Sequence, residues 1–166
     1  MVGSQCAALG ELSFLPALAE ELFGVLTDPL LGGCVPALAG ALGPLLDPTM
    51  VELTAAFEEA FRVASAERAT LLVSWLGHGE VGLPADGGLT GSQDFYLLPV
   101  DCPVPQQPTM GSALLLGQGL RELLRDHDRL DGLVLIVDAC HAGEGALDVA
   151  GRVARVVGAA AAALSC

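Results

Sequence analysis

Two short apolar runs, rich in the residue types that favour strands, constrain the fold of this chain more than any other feature. The clearest is Gly132–Asp138 (GLVLIVD), and the other is Thr70–Leu76 (TLLVSWL), which is bounded by Gly77. Continuous apolar runs of this kind are typical of strands that are buried on both faces of a parallel sheet. Because helical patterns surround both runs, the sequence predicts an α/β fold with a mostly parallel sheet flanked by helices.

Three further segments show the three- and four-residue spacing of amphipathic helices. Ser13–Thr27 is predicted to form the first helix, with its serine as the N-terminal cap. A second helix opens at Asp47-Pro48-Thr49 and ends near Ala66, and a third covers the region from Ser112 to Arg125. The predicted apolar face of the second helix consists of Leu53, Phe57 and Phe61.

Glycine and proline mark the loops that connect these elements. Leu31–Leu46 is rich in both and is predicted to be a long loop, and Gly79–Gln93 is predicted to be a mobile one. Phe95–Val100 is a further candidate for a short strand. We find no internal repeat and no sign of a second domain, so residues 1–166 are expected to form one domain.

The charge balance narrows the range of expected partners. The chain has 20 acidic residues against 7 basic ones, which gives a net charge of −13. No basic stripe is present, so neither nucleic acid nor an anionic membrane surface is expected as a partner. Protein or peptide substrates that carry basic residues fit this charge better.

The cysteine pattern and the hydropathy indicate the cellular compartment in which the protein is expected. The 5 cysteines are scattered and form no CxxC pair, which argues against a zinc knuckle or a thioredoxin-type site. No signal-peptide pattern opens the chain, and the uncharged stretch Pro29–Leu46 contains prolines and glycines that an ordinary spanning helix does not tolerate. These features predict a cytoplasmic protein without a membrane segment.

Each of the two apolar runs leads directly into residues that can perform chemistry. Thr70–Leu76 is followed by Gly77-His78-Gly79, and Gly132–Asp138 is followed by Ala139-Cys140-His141. Parallel strands present their carboxyl ends at one edge of a sheet, where such folds place their sites. If the two strands are neighbours, His78 and Cys140 emerge side by side.

A cysteine beside a histidine can act as a nucleophile with its base. The thiol attacks as the thiolate, and an imidazole within hydrogen-bond reach takes its proton and later gives it to the leaving amine. The glycines on both sides of His78 permit a tight turn and a close approach of substrate. The amide N–H groups of Gly79 and Cys140 are the candidate oxyanion donors.

Each of these residues also has a simpler interpretation. A lone cysteine after a buried strand is more often a small buried apolar residue, and a lone histidine between glycines is more often a surface loop residue. The pair is more informative, because His78 and Cys140 stand at two matched strand ends about 60 residues apart. His141 stands beside the cysteine and competes as a base, whereas His127 is interpreted as a solvated surface residue.

The segments around both residues resemble those of a known family. Leu133–Gly143 (LVLIVDACHAG) resembles the nucleophile segment of the caspase-like clan of cysteine peptidases, in the D-x-C-H-x-G form of metacaspases and bacterial caspase domains. Ser74–Gly79 (SWLGHG) resembles the histidine segment, and Asp94–Asp101 (DFYLLPVD) resembles the strand that follows it. The spacing of about 60 residues is similar to that between the two motifs in caspases.

This resemblance implies a cysteine endopeptidase that acts through an acyl-thioester and needs no metal or organic cofactor. It implies Cys140 as the nucleophile, His78 as the general base, and Gly79 with the Cys140 amide as the oxyanion hole. Asp138 would line the primary specificity pocket and select basic residues, since a carboxylate pairs well with a guanidinium. Related metacaspases often use calcium, but no acidic cluster here has the ligand spacing of a calcium loop, so calcium is left open.

The resemblance covers roughly Gly3–Leu164 and implies a three-layer caspase-like fold that is truncated at both ends. The family has a central first strand before the segment that resembles Val2–Gln5, and two more strands after the equivalent of Cys166. The chain therefore resembles the large-subunit half, and self-association through an open sheet edge is expected.

The alternative is a catalytically incomplete module that acts as a binding or assembly partner. A nucleotide-binding domain is a third alternative, and the sequence does not favour it, because no glycine motif of that class is present.

Overall fold

The structure is a computed structural model, and it describes residues 1–82 and 94–143 of the chain. The elements of these residues are, in chain order, β1 (Val2–Ser4), α1 (Leu15–Thr27), β2 (Leu45–Leu46), α2 (Met50–Glu67), β3 (Thr70–Gly77), β4 (Gly79–Gly82), β5 (Asp94–Leu97), β6 (Leu114–Leu115), α3 (Leu116–Asp126) and β7 (Gly132–Asp138). A parallel sheet is formed by β1, β2, β3 and β7, and a small antiparallel sheet by β4, β5 and β6. The predicted α/β class with a mostly parallel sheet is confirmed.

The parallel sheet has the strand order β2-β1-β3-β7. β3 pairs with β7 in register from Thr70 opposite Gly132 to Leu76 opposite Asp138. The two strands that the sequence predicts most clearly are therefore neighbours, and only one residue, Gly77, is added to their predicted spans.

Helices cover both faces of this sheet. On one face α1 packs over β1 so closely that a Cβ on Gly3 would lie 2.9 Å from the side chain of Leu15 and 3.1 Å from that of Ala19. On the opposite face α2 and α3 enclose the main apolar core together with β3. Large buried side chains of this core include those of Leu53, Phe57, Phe61, Trp75, Phe95, Leu97, Leu116 and Leu120. The apolar face predicted for the second helix is thereby confirmed.

The prediction that Gly132–Asp138 is the most clearly buried strand is wrong. Leu133, Leu135 and Val137 pack against the core, but Val134 and Ile136 remain 44% and 38% exposed. The reason is the position of α1, which lies over β1 on that face, while β7 is the outer strand of the sheet in the described part of the chain. β3, by contrast, is buried along most of its length, as predicted.

The first helix begins two residues later than predicted. Phe14 occupies the N-cap position without a side-chain hydrogen bond, and a proline stands in the first turn. The predicted cap, Ser13, lies before the helix, because a backbone turn from Leu12 to Leu15 already closes there. A proline in the first turn suits a helix start by itself, since its fixed φ is helical and its missing N–H is not needed.

The second helix begins with a capping box. Thr49 Oγ1 accepts a hydrogen bond from the Glu52 amide at 3.3 Å, and Glu52 Oε2 accepts one from the Thr49 amide at 2.9 Å. The pKa of Glu52 lies below its ordinary value because the Thr49 amide and hydroxyl donate to the carboxylate. The helix begins at Met50, directly after the predicted opening Asp47-Pro48-Thr49, and it extends one residue beyond the predicted end at Ala66.

We expect Thr49→Ala to lower the free energy of unfolding by about 1 kcal/mol, because the first helical turn loses a backbone partner. Urea denaturation measures the difference, and Thr49→Ser, which keeps the acceptor oxygen, serves as the control. The difference should shrink as the pH falls through the pKa of Glu52, since the protonated carboxyl no longer caps the turn. Equal stability of the alanine and serine variants would contradict the role of the box.

The small antiparallel sheet corrects the loop predicted for Gly79–Gln93. Its first residues, Gly79–Gly82, form β4 and pair with β5, while residues 83–93 lie outside the described part of the chain. The predicted strand Phe95–Val100 is present but spans Asp94–Leu97. Glycines at both ends of β4 concealed a strand whose stability comes from pairing rather than from side-chain propensity.

The third helix begins at Leu116 rather than at Ser112. The reason is β6, in which Leu114 and Leu115 pair with the end of β5 before the chain becomes helical.

Among the described residues, no helix is long and apolar enough to cross a membrane.

Candidate active site

The strand register brings together the two strand ends that lead into His78 and Cys140. Leu76 at the end of β3 is paired with Asp138 at the end of β7, and each candidate residue follows two positions later on its own strand. The expectation that the two strands are neighbours is therefore confirmed. Both residues leave the sheet at its carboxyl edge, which is where parallel α/β folds bind and transform ligands.

The backbones of the two loops are in contact at Gly79. A Cβ at this buried position would lie 3.1 Å from both the Ala139 Cβ and the Cys140 carbonyl oxygen, and 2.6 Å from Phe95 Cζ. Only glycine fits such a gap without moving its neighbours. The residue that follows the candidate base thus packs directly on the segment that carries the candidate nucleophile, as two partners in one oxyanion hole would need.

The backbone conformation of Gly77 determines the turn between β3 and His78. Its φ is +150°, and a Cβ here would collide with the carbonyl oxygen of Ser4 on β1. L-residues with side chains rarely adopt this backbone conformation. The close contact with β1 therefore holds the end of β3, and with it the start of the histidine loop, at a defined position.

The imidazole of His78 has a partner that the sequence did not suggest. His78 Nε2 lies 3.2 Å from the carbonyl oxygen of Gly10, in the loop after β1. A carbonyl oxygen can only accept, so this hydrogen bond requires the proton on Nε2 and leaves Nδ1 as the basic nitrogen. The sequence carried no signal for Gly10, because the contact uses the main chain and no side chain.

Cys140 is the exposed cysteine among those that the structure describes. Cys6 and Cys102 are buried, Cys34 is half-buried, and all four are free thiols. Burial raises the pKa of Cys102, which keeps that thiol protonated and unreactive at neutral pH. Exposure together with a neighbouring imidazole distinguishes Cys140 from the other three thiols.

We expect iodoacetamide to alkylate Cys140 first, followed by Cys34, with Cys6 and Cys102 protected in the folded protein. The reason is the order of exposure, combined with the raised pKa of Cys102. Timed labelling followed by peptide mass spectrometry measures the order. His78→Ala should slow labelling at Cys140 and leave Cys34 unchanged; if Cys140 reacts at the same rate in both proteins, the two residues do not act as a pair.

The other two histidines take different positions. His141 has a φ of +59°, is exposed, and its Nε2 lies 3.8 Å from Glu80 Oε1 on β4. Its ring is thus directed at a carboxylate, which makes it a second candidate base beside Cys140. His127 is half-buried rather than solvated, because its ring packs 6.4 Å from that of Phe61 at the end of α3.

The carboxylates of Asp138, Asp101 and Asp94 differ in their exposure and in their hydrogen bonds. Asp138 is exposed at the end of β7, and within residues 1–82 and 94–143 it has no hydrogen bond or ion pair. Asp101, in contrast, accepts from the Met50 amide at 2.9 Å and so caps α2. Asp94 is 2% exposed, at the end of β5 that pairs with Gly82, so its carboxylate is not open to a substrate.

No group of three or more histidine, cysteine or acidic residues that could hold a metal ion occurs among the described residues.

The chain was compared with protein-family models, with curated proteins and with solved structures, and none of them matches it. The strand ends, their contacts and the resemblance of their sequence motifs therefore carry the functional argument.

Proposed function

We propose that this chain is the large-subunit part of a caspase-like cysteine endopeptidase, with His78 and Cys140 as its catalytic dyad. The observation that carries the proposal is their placement at the carboxyl ends of adjacent parallel strands. Helices on both faces of the sheet agree with a three-layer arrangement of the caspase type. A reducing cytoplasm suits an enzyme that depends on a free thiol.

The proposed reaction begins when Cys140 loses its proton to Nδ1 of His78. The sulfur attacks the peptide carbonyl carbon, and the oxyanion that forms accepts hydrogen bonds from the amides of Gly79 and Cys140. The C–N bond then breaks as His78 returns the proton to the leaving amine, which leaves a thioester on the sulfur. Water, deprotonated by His78, cleaves the thioester and regenerates the thiol.

The carbonyl of Gly10 has a defined part in this proposal. By accepting the Nε2 proton, it holds the ring so that Nδ1 is free to act as the base. It also stabilises the imidazolium that forms when Nδ1 takes up the thiol proton, since both nitrogens then carry protons. A backbone carbonyl thus takes the orienting role that an aspartate or asparagine has in other cysteine or serine peptidases.

Basic residues on the acyl side of the cut are the proposed preference. The exposed Asp138 carboxylate lies two residues before the nucleophile and has no partner among the described residues, so it is available to a guanidinium. The net charge of −13 further attracts basic peptides and repels acidic ones.

A catalytically incomplete module that binds a partner is the alternative, and one observation favours it. β7 is the outer strand of the parallel sheet among the described residues, and it leaves Val134 and Ile136 exposed on one face. Exposed apolar side chains on an outer strand are typical of a surface that binds a partner.

Hydrolysis of a fluorogenic peptide with arginine before the reporter distinguishes the two. We expect the full chain to release the fluorophore, and Cys140→Ala to abolish the release while Cys34→Ala leaves it unchanged. A folded wild-type chain that releases no fluorophore and is not labelled by an arginyl chloromethyl ketone at Cys140 would favour the incomplete module.

A further inference from the structure

The loop after β1 presents the Gly10 carbonyl to His78, and one side chain closes this loop. Gln5 Oε1 accepts a hydrogen bond from the Leu12 amide at 3.0 Å, so the side chain of Gln5 spans the loop from its start to its end. Gly10 lies inside the closed loop, and its carbonyl oxygen lies 3.2 Å from Nε2 of His78. The position of this carbonyl therefore depends on a side chain that stands earlier in the chain.

The Gln5 side chain fixes the far end of this loop, beyond the carbonyl that meets the imidazole. The near end is held by the main chain, since the Ala7 amide donates to the carbonyl of Val100 at 3.0 Å. After Leu9, the next main-chain amide with a hydrogen bond in the described part of the chain is that of Leu12, and its acceptor is Gln5. Removal of the glutamine oxygen therefore frees the half of the loop that carries the orienting carbonyl.

The main chain of Gln5 is held in turn by Asp47, the residue after β2. Asp47 Oδ1 accepts a hydrogen bond from the Gln5 amide at 2.8 Å, and the Asp47 amide donates to the carbonyl of Gly3 at 2.8 Å. Asp47 has a φ of +47°, a left-handed conformation that aspartate adopts more readily than most residues do. These contacts attach the start of the loop to two strands of the parallel sheet, so the backbone that carries the Gln5 side chain is anchored.

We propose that Gln5 is a positioning residue for His78, which acts by holding the Gly10 carbonyl at the imidazole. That carbonyl accepts the Nε2 proton and so keeps Nδ1 as the basic nitrogen. When the loop is released, the ring rotates and exchanges its proton between the two nitrogens, so fewer molecules hold the base in the productive arrangement. The expected effect on the reaction rests on the proposed peptidase function, whereas the expected effect on the ring does not.

Gln5→Met tests the proposal, because methionine is similar in length to glutamine but lacks the amide oxygen that accepts from Leu12. The first measurement is 15N NMR of the histidine rings of the full chain at alkaline pH, with His78→Ala to assign the His78 signals. We expect the wild type to carry the His78 proton on Nε2, and Gln5→Met to shift both ring-nitrogen signals toward those of histidine in solution. Gln5→Glu, which keeps an acceptor oxygen, should restore the wild-type signals.

The second measurement is hydrolysis of the arginyl peptide. We expect Gln5→Met to lower kcat about tenfold and to change KM less than about twofold, since the substitution disturbs the base and leaves the substrate pocket intact. Gln5→Glu should recover most of kcat. The matched control is Ser13→Ala, which removes an exposed hydroxyl just after Leu12 that has no hydrogen bond within the described residues. It should change neither kcat nor the His78 signals.

Asp47→Gly is a second variant that keeps the test decisive if Gln5→Met does not fold, because glycine suits the left-handed φ and lacks the acceptor for the Gln5 amide. It should shift the His78 signals in the same direction.

Three results would overturn the proposal. They are unchanged His78 signals in the folded variants, a signal shift without a fall in kcat in a chain that hydrolyses the peptide, and an equal effect of Ser13→Ala. A wild-type chain that hydrolyses nothing, while Gln5→Met still shifts the His78 signals, would overturn the peptidase proposal and support the positioning of the ring. The failures of the two proposals are therefore distinguishable.

Discussion

We expect His78→Ala to lower the rate of arginyl-peptide hydrolysis by about 100- to 10,000-fold, the usual contribution of a positioned general base. The physical reason is that His78 is the proposed base that takes the thiol proton from Cys140 and delivers it to the leaving amine. The contact between Nε2 and the Gly10 carbonyl orients this imidazole and frees Nδ1 for the task. Initial rates of the two proteins at one fixed pH measure the effect.

The matched control is His141→Ala, which removes the competing imidazole. His141 is exposed and directed at Glu80, at a distance of 3.8 Å, so we expect less than a threefold change in rate from its loss. A large loss of activity in His141→Ala together with a small one in His78→Ala would assign the base to His141. Circular dichroism of both variants verifies that each remains folded.

The second large effect is expected from Asp138→Asn, which keeps the shape of the side chain and removes its charge. We expect kcat/KM for arginyl peptides to fall about 10- to 100-fold, because a hydrogen bond to a charged group is replaced by a neutral one. The rate for a peptide with a neutral residue at the same position should change little. The ratio of the two kcat/KM values is the measurement that reports on the pocket.

Asp131→Asn provides the control, since Asp131 lies just before β7, at its opposite end, and accepts from the Thr70 hydroxyl at 3.3 Å. It carries the same change of net charge, so it separates a local pocket effect from the general attraction of an acidic protein for basic peptides. An arginine preference that survives in Asp138→Asn, or that falls equally in both variants, would remove Asp138 from the pocket.

The sequence by itself determined the elements whose signals are local. The apolar runs at Thr70–Leu76 and Gly132–Asp138 specified two parallel strands, because short continuous apolar runs rich in strand-forming residues favour strands. Thr49 and the spacing of the apolar residues after it specified α2 nearly to the residue. The position of His78 and Cys140 at the two strand ends followed from these runs alone.

Only the tertiary structure decided features that depend on pairing and on the main chain. Glycine-bounded β4 forms because β5 lies beside it, and pairing between distant segments leaves no periodic mark in either one. The exposure of Val134 and Ile136 depends on α1 lying over β1, which the composition of β7 cannot reveal. The group that orients His78 is the main-chain carbonyl of Gly10. Because every residue type has such a carbonyl, the sequence cannot indicate which one forms this hydrogen bond.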